Sequence, residues 1–170
     1  TRKALEENDI VIFSGSSSVG SRDLGESVVC KLDDLLIHGV AIKPGKPVIV
    51  AFSGNKALFG LPGHPVSASV AFDLFVRPGI DSFSGRTFSD LPQSRTVQAI
   101  CKRNMNSAGG RTDFIRVSLT RKDSGKYEAY PVLGKSGALS TMVAADGFFR
   151  IEESSQGIES GEMVKVYLYD

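Results

Sequence analysis

Tryptophan is absent from this 170-residue sequence, and cysteine and histidine occur only twice each. Cys30 and Cys101 lie far apart, with no further cysteine or histidine at metal-ligand spacing. They are therefore predicted to be free thiols in a reducing compartment, and neither a disulfide framework nor a zinc site is indicated. The formal net charge is only +1. This balance indicates neither a nucleic-acid partner nor a membrane partner, although an anionic substrate needs only a few local cations.

Long apolar runs are also missing. No stretch reaches the length needed to span a membrane, and no signal-peptide pattern is recognisable. We therefore expect a cytoplasmic protein. The length fits one domain or two small ones. Because the sequence has no initiator methionine and residues 1–7 resemble the end of a helix, we expect it to be part of a longer chain.

The first half of the sequence has the pattern of an α/β domain. Residues 10–13 are a continuous apolar run, typical of a strand buried on both faces of a parallel sheet. A loop rich in glycine and serine follows, and a helix is predicted after it from apolar residues at helical spacing: Val28, Val29, Leu32, Leu35 and Leu36. Anions bind at such loops because unpaired N–H groups and the helix dipole point at them. The same spacing is equally typical of a serine-capped turn that binds nothing.

Residues 43–67 contain two further loops that are rich in proline and glycine. A hairpin is predicted over residues 48–59, with its turn at residues 53–56. Pro65 occupies the position that a helix tolerates best, so a helix is predicted from there onward. Pro78, followed by glycine, is expected to stop or kink this helix.

Three charged residues of the first half are candidates for chemistry on an anion. Lys43 and Lys46 lie in Lys-Pro-Gly-Lys-Pro, a stiff loop from which they could neutralise a phosphate or an oxyanion. Asp23 ends the glycine-serine loop and could hold a divalent metal or accept a proton. A solvated lysine pair and a helix-capping aspartate explain the same residues, and spacing alone favours that plainer explanation. His64 has no evident orienting partner, so a structural or contact role is expected for it.

The pattern changes after a polar linker at residues 82–94. Five short alternating or apolar runs, separated by glycine, aspartate and serine, predict a small antiparallel barrel or sandwich. These runs are residues 96–102, 113–121, 126–132, 147–152 and 162–169. We therefore place a domain boundary near Asp90, with an α/β domain at residues 1–88 and an all-β domain at residues 89–170.

The order of six motifs carries a family resemblance over essentially the whole chain. They are SGSSSVGSRD, KPGKP, FGLPGHPVSA, GRTDFIRVSL, SGALSTMVAADGFFRI and GxxxGExVxVYL. In this order they resemble the molybdopterin molybdenumtransferase family, which comprises the MoeA proteins and the C-terminal part of gephyrin. The resemblance implies a partial molybdopterin-binding, MogA-like three-layer α/β domain followed by the small β-barrel called domain IV.

The resemblance also implies a reaction. Members of the family insert molybdate into adenylylated molybdopterin, giving molybdenum cofactor and AMP, with Mg²⁺ as the cofactor. They are homodimers, so a homodimer is expected here as well. No nucleic acid and no membrane are implied as partners.

Site residues follow from the family's motifs, position by position. Asp23 and Lys43 are implied as catalytic residues, and Asp23 is implied also as the metal ligand. Residues of the glycine-serine loop and of the two proline loops are implied as substrate-binding residues: Ser14, Gly15, Ser18, Gly20, Lys46, Pro62, Gly63, Pro65 and Ser67. Backbone amides and lysines suit a phosphate and a tetrahedral oxyanion.

Two departures from the family pattern leave alternatives open. Gly39, four residues before Lys43, stands where relatives often carry a lysine or arginine that helps to hold molybdate, and the family's preceding strand with its Thr-Gly-Asp-Glu loop is missing. We therefore expect this chain to be inactive by itself. A non-catalytic pterin-sensing or scaffold module of the same architecture is the first alternative. A domain that binds some other phosphorylated small molecule is the second.

Overall fold

The computed structural model describes residues 2–15, 34–86, 96–134 and 139–169. The chain divides into two compact units, residues 1–40 with 45–92 and residues 41–44 with 93–170. The short segment 41–44, which the sequence placed in the α/β domain, therefore belongs to the second unit.

Helices and strands of the described residues are numbered in chain order. They are α1 (Arg2–Glu7), β1 (Ile10–Ser14), β2 (Asp34–His38), β3 (Ile42–Lys43), β4 (Ile49–Ser53), β5 (Lys56–Leu61), α2 (Pro65–Ala71), a π-helical segment (Phe72–Val76), α3 (Arg77–Phe83), β6 (Thr96–Cys101), β7 (Met105–Asn106), β8 (Thr112–Arg121), β9 (Tyr127–Pro131), α4 (Ser140–Val143), β10 (Gly147–Ile151), β11 (Gly157–Ile158) and β12 (Met163–Leu168). No helix among these is long and apolar enough to cross a membrane.

The first unit is built on a four-stranded sheet in the order β1-β5-β4-β2. β1 pairs with β5 in parallel, and the predicted β4–β5 hairpin is confirmed by its antiparallel register. The two central strands are covered on both faces, because alternate residues enter different apolar clusters: Val50 and Phe59 on one side, and Ala51 and Leu58 on the other. This sheet, with its apolar faces, fixes where the connecting loops emerge.

Two predictions for the first unit are wrong. β1 is not buried on both faces, since Ile12 is 43% exposed. Leu35 and Leu36 lie in β2, which pairs with the edge of β4, and not in a helix. A short apolar run is compatible with a helix and with a strand. Here it forms a strand because it pairs with β4. The other positions of that predicted helix lie outside the described residues.

The helix that begins at Pro65 is confirmed, but Pro78 does not stop it. The helical backbone passes through the π-helical segment and continues to Phe83. A proline in a helix has no N–H to donate to the preceding turn. The π-helical segment directly before Arg77 and Pro78 has the wider i→i+5 hydrogen-bond spacing, which accommodates the missing donor. Gly79 serves a close contact, because a Cβ there would lie 2.7 Å from Cζ of the buried Phe59.

The second unit is a closed β-barrel. Its strands follow the order β10-β12-β6-β9-β8, and β8 pairs again with β10 and closes the ring. β3 adds to β8 in parallel, while β7 and β11 form a separate two-stranded ribbon. All five predicted strands and the barrel are confirmed, but the barrel is not antiparallel throughout, because β6 and β9 pair in parallel. The core consists of inward-facing residues of the five strands: Ala99, Cys101, Val117, Ala129, Phe149, Ile151, Val164 and Val166. Cys101 is a free, buried thiol, as predicted.

Candidate functional site

The loops predicted to bind substrate emerge at one edge of the sheet in the first unit. β1 and β5 are parallel and end together, with Ser14 opposite Leu61. β4 is antiparallel to β5 and therefore begins at the same edge, where Ile49 pairs with Gly60 and with His38 at the end of β2. We call this end of the sheet the loop edge. It is formed by residues 14–15, 38–40, 46–49 and 61–64.

At the loop edge the first two predicted loops meet at the level of the backbone. Ser14 and Gly15 are exposed at the end of β1, and Gly15 has φ +91°, a conformation that favours glycine. Gly63 packs against it, because a Cβ on Gly63 would lie 3.2 Å from the Gly15 Cα. The two glycines thus let the two chains approach closely. Pro62 lies between Leu61, the last residue of β5, and Gly63, so it is next to this contact.

The start of α2 lies next to this contact. Pro65 is its first residue, and Ser67 in its first turn is only 6% exposed. His64 precedes the helix in an extended conformation, and its side chain makes no capping hydrogen bond. Its carbonyl instead accepts from the Ala68 N–H at 2.9 Å. Because the first N–H groups of a helix have no partner within it, this end of α2 is suited to an anion.

Lys46 is the cation of the loop edge. Its carbonyl accepts hydrogen bonds from the N–H groups of Val40 at 2.9 Å and Val48 at 3.0 Å, while its side chain is exposed. Gly39 supports this arrangement by donating to the Val48 carbonyl at 2.8 Å. The backbone of the lysine loop is therefore fixed, and the exposed amino group has no ion-pair partner among the described residues.

The departure at Gly39 has a local physical basis. Its φ is +83°, in the left-handed region that L side chains rarely adopt. A Cβ at this position would lie 3.5 Å from the Lys46 carbonyl oxygen, which is an ordinary van der Waals distance. The obstacle to a lysine or arginine here is therefore the backbone conformation and not the available space.

Lys43 lies in the second unit, whereas Lys46 lies in the first. It is the last residue of β3 and pairs with Asp113 of β8. Its Nζ is 3.9 Å from Oδ2 of that aspartate, and the side chains are 60% and 2% exposed, respectively. Arg111 binds the same carboxylate, with its Nε 2.8 Å from Oδ1. The predicted catalytic lysine is thus accompanied by a buried acid.

Asp113 is the residue that sequence reasoning missed. It lies within the motif GRTDFIRVSL, which supported the family resemblance but was given no role in the site. The available signal was an acidic residue at the start of an apolar strand. Carboxylates are rarely buried without a partner, so such a position indicates an ion pair.

Three predicted site residues lie outside the described residues: Ser18, Gly20 and Asp23. In the part of the chain that the structure describes, no group of three or more histidine, cysteine, aspartate or glutamate side chains is placed to hold a metal ion. Asp23, which the resemblance implies as the magnesium ligand, is one of the three residues that are not described.

Two family models match the chain, one for each unit. Residues 1–82 match the family described as "Probable molybdopterin binding domain", and residues 98–169 match "MoeA C-terminal region (domain IV)". Among curated relatives, the molybdopterin molybdenumtransferase of Bacillus subtilis is 32% identical over 169 residues. A protein of Methanocaldococcus jannaschii named for molybdopterin biosynthesis is 37% identical over 168 residues. Each alignment covers 98% of this chain and 38% of the relative.

Solved structures agree with these relatives. Two structures of the molybdopterin biosynthesis MoeA protein from Pyrococcus horikoshii superpose with TM-scores of 0.76 and 0.74, at 34% and 27% identity. The alignments cover 98% and 99% of this chain, and 39% and 38% of the matched chains. The chain thus spans well under half the length of the relatives it matches. Its first unit thus belongs to the molybdopterin-binding domain family and its second to the family of the MoeA C-terminal region, and the chain corresponds to one part of the MoeA proteins.

Proposed function

We propose that the protein containing this chain inserts molybdate into adenylylated molybdopterin, producing molybdenum cofactor and AMP. The observation that carries this proposal is the loop edge, where two glycine-containing loops, a lysine and a helix start come together in one unit. The match of both units to domains of this family supports the same reaction.

The residues of the loop edge suit the chemistry of these substrates. Adenylylated molybdopterin carries phosphates, and molybdate is a tetrahedral oxyanion. We assign their binding to Ser14, Gly15, Lys46, Pro62, Gly63, Pro65 and Ser67, together with Ser18 and Gly20 of the first loop. Backbone N–H groups held in place stabilise negative charge with little reorganisation, and Lys46 adds a positive charge, so positioning and charge stabilisation account for most of the catalysis.

Lys43 and Asp23 are the proposed catalytic residues. Lys43 would stabilise negative charge on the reacting oxyanion, and Asp23 would hold Mg²⁺. A bound Mg²⁺ supplies Lewis-acid stabilisation of charge on a departing phosphate. We also propose that the protein is a homodimer in the cytoplasm, and the family resemblance supports this.

The test uses the complete protein that carries this sequence. AMP release and molybdenum insertion are measured for the wild type and for Lys43→Ala and Asp23→Ala. We expect both variants to lose activity while keeping the fold. Lys122→Ala, which removes another exposed lysine of the second unit, serves as the matched control and should keep full activity. Normal activity in both site variants would refute the assigned roles.

A second candidate function is a non-catalytic pterin-binding or scaffold module. The glycine at position 39 favours it, because a basic side chain is missing where relatives often use one. Calorimetric titration separates the candidates. An enzyme binds adenylylated molybdopterin and releases AMP when molybdate is added, whereas a sensor binds molybdopterin and releases nothing. If the protein binds neither molybdopterin nor adenylylated molybdopterin, the scaffold function is favoured.

A further inference from the structure

Asp113 is the most deeply buried carboxylate among the described residues. It lies at the second position of β8, between two neighbouring strands. On one side its backbone pairs with Lys43 of β3, and on the other side with Ile151 of β10. Its position is therefore fixed on both sides, and its carboxylate has little freedom to move.

The two oxygens of Asp113 have different surroundings. Oδ1 accepts a hydrogen bond from Arg111 Nε at 2.8 Å. Oδ2 lies 3.5 Å from Arg111 Nη2 and 3.9 Å from Lys43 Nζ. Arg111 thus donates to both oxygens, closely to Oδ1 and at a longer distance to Oδ2, which also faces the lysine. Since burial of an unpaired carboxylate is costly, both cations contribute to keeping this acid inside the barrel wall.

The same contacts constrain Lys43. Its side chain is 60% exposed and has four rotatable bonds, so an isolated lysine there would sample many rotamers. Its backbone is held by the pairing of β3 with β8. The buried carboxylate then provides one fixed point of attraction for an otherwise mobile amino group.

We propose that Asp113 is the positioning residue for Lys43. This inference rests on the catalytic role proposed for Lys43 and adds the group that holds its amino group in place. Asp113 does not need to touch substrate for this role. Arg111 balances the charge of the carboxylate, so that Asp113 attracts Lys43 without remaining an unpaired buried ion when the lysine turns to the ligand.

The first measurement tests positioning without using the reaction. The complete protein is labelled briefly with acetic anhydride, and the acylation rate of each lysine is read by mass spectrometry. In Asp113→Asn the amide no longer attracts the ammonium group, and Lys43 should be acylated up to about fivefold faster, the range expected for an exposed ion pair. The rates of Lys102 and Lys122 should not change.

The matched control is Glu128→Gln. Glu128 is a carboxylate of the same unit whose two oxygens pair with Lys102 and Lys122, each at 3.1 Å. Its replacement should speed the acylation of those two lysines and leave Lys43 unaffected. If Asp113→Asn does not fold, the double variant Arg111→Gln/Asp113→Asn removes both charges and preserves the test on Lys43.

The second measurement links positioning to turnover. Asp113→Asn should lower the rate of AMP release at saturating substrate roughly tenfold, because a displaced catalytic group loses part of its effective concentration. Asp113→Glu should recover part of that loss. When Lys43 is already replaced by alanine, adding Asp113→Asn should lower AMP release no further. Asp113 is proposed to act only through Lys43, so the effects of the two substitutions should not add.

The outcomes separate the two proposals. An unchanged acylation rate of Lys43 in Asp113→Asn would overturn the positioning role, whatever the activity. Equal losses of AMP release from Asp113→Asn with and without Lys43 would overturn it as well. If the wild type releases no AMP while the acylation of Lys43 responds to Asp113, the proposed function fails and the positioning contact stands.

Discussion

Replacement of Gly39 by alanine tests whether the backbone conformation of the lysine loop matters for anion binding. Gly39 has φ +83°, and an L residue in the left-handed region costs about 1–2 kcal/mol. The added Cβ would lie 3.5 Å from the Lys46 carbonyl oxygen, so no steric overlap adds to this strain. Gly39→Ala is therefore expected to lower the free energy of unfolding by about 1–2 kcal/mol.

The substitution should also affect Lys46. The Gly39 N–H donates to the Val48 carbonyl at 2.8 Å, and the Val40 N–H donates to the Lys46 carbonyl at 2.9 Å. If φ at residue 39 relaxes toward negative values, these two bonds lose their geometry and Lys46 loses its fixed backbone. We therefore expect weaker binding of molybdate in addition to lower stability. Gly39→Asn should lose less of both, because asparagine tolerates the left-handed region better than alanine.

The assay combines thermal unfolding with equilibrium dialysis of molybdate. Each kcal/mol corresponds to a fall in Tm of about 4–8 °C for a unit of this size. Gly54→Ala is the matched control, because Gly54 also has a positive φ, +57°, but lies in the β4–β5 turn at the opposite end of the sheet. It should lose similar stability and keep molybdate binding. Wild-type stability in Gly39→Ala, or equal loss of binding in Gly54→Ala, would refute the reasoning.

Three further predictions concern stability and pH. Phe149→Ala removes the largest fully buried side chain and should destabilise the barrel by about 3–5 kcal/mol in denaturant unfolding. Lys56 donates to the last carbonyls of α1, so Lys56→Met should cost about 1 kcal/mol and expose α1 to hydrogen exchange. The hydrogen bond from Tyr130, followed by that from Lys122, lowers the pKa of Glu128 from 4.5 to about 2. The stabilisation from Glu128 is complete above pH 4.5 and is lost as the pH falls toward about 2, so the stability difference between wild type and Glu128→Gln should shrink over that range.

Each of these predictions has its own control. Phe148→Ala, at a half-buried position of the same strand, should cost less than Phe149→Ala, and the reverse order would contradict the assigned core. Lys126→Met changes an exposed lysine and should leave exchange in α1 unaltered. For Glu128, the difference measured above pH 4.5 is the reference; a stability difference between wild type and Glu128→Gln that grows toward acid would contradict the lowered pKa of Glu128.

Local signals in the sequence were sufficient for several elements. The turn at residues 53–56 joins two apolar runs, and the structure has the hairpin there. Pro65 fixes the helix start because its φ and missing N–H suit a first helical position. Strands of the barrel such as β10 and β12 were predictable because buried residues alternate with less buried ones along them. In each case neighbours within a few residues decide the conformation.

Long-range pairing decided what local signals left open. Leu35 and Leu36 fit helical spacing, yet the edge of β4 takes them into a strand. Ile12 is 43% exposed although it lies in a continuous apolar run, and no local pattern indicates this. Hydrogen bonding to a strand that is distant in sequence outweighs a weak local preference.

For the candidate site, the sequence by itself was enough to predict the loops, the lysines and the family. Only the tertiary structure brought Gly15 against Gly63, because the parallel pairing of β1 with β5 joins segments that are far apart in the chain. Only the tertiary structure assigned residues 41–44 to the second unit, where β3 pairs with β8 and sets Lys43 beside Asp113. Motifs depend on local residue types and spacing, whereas these contacts depend on which distant strands share a sheet.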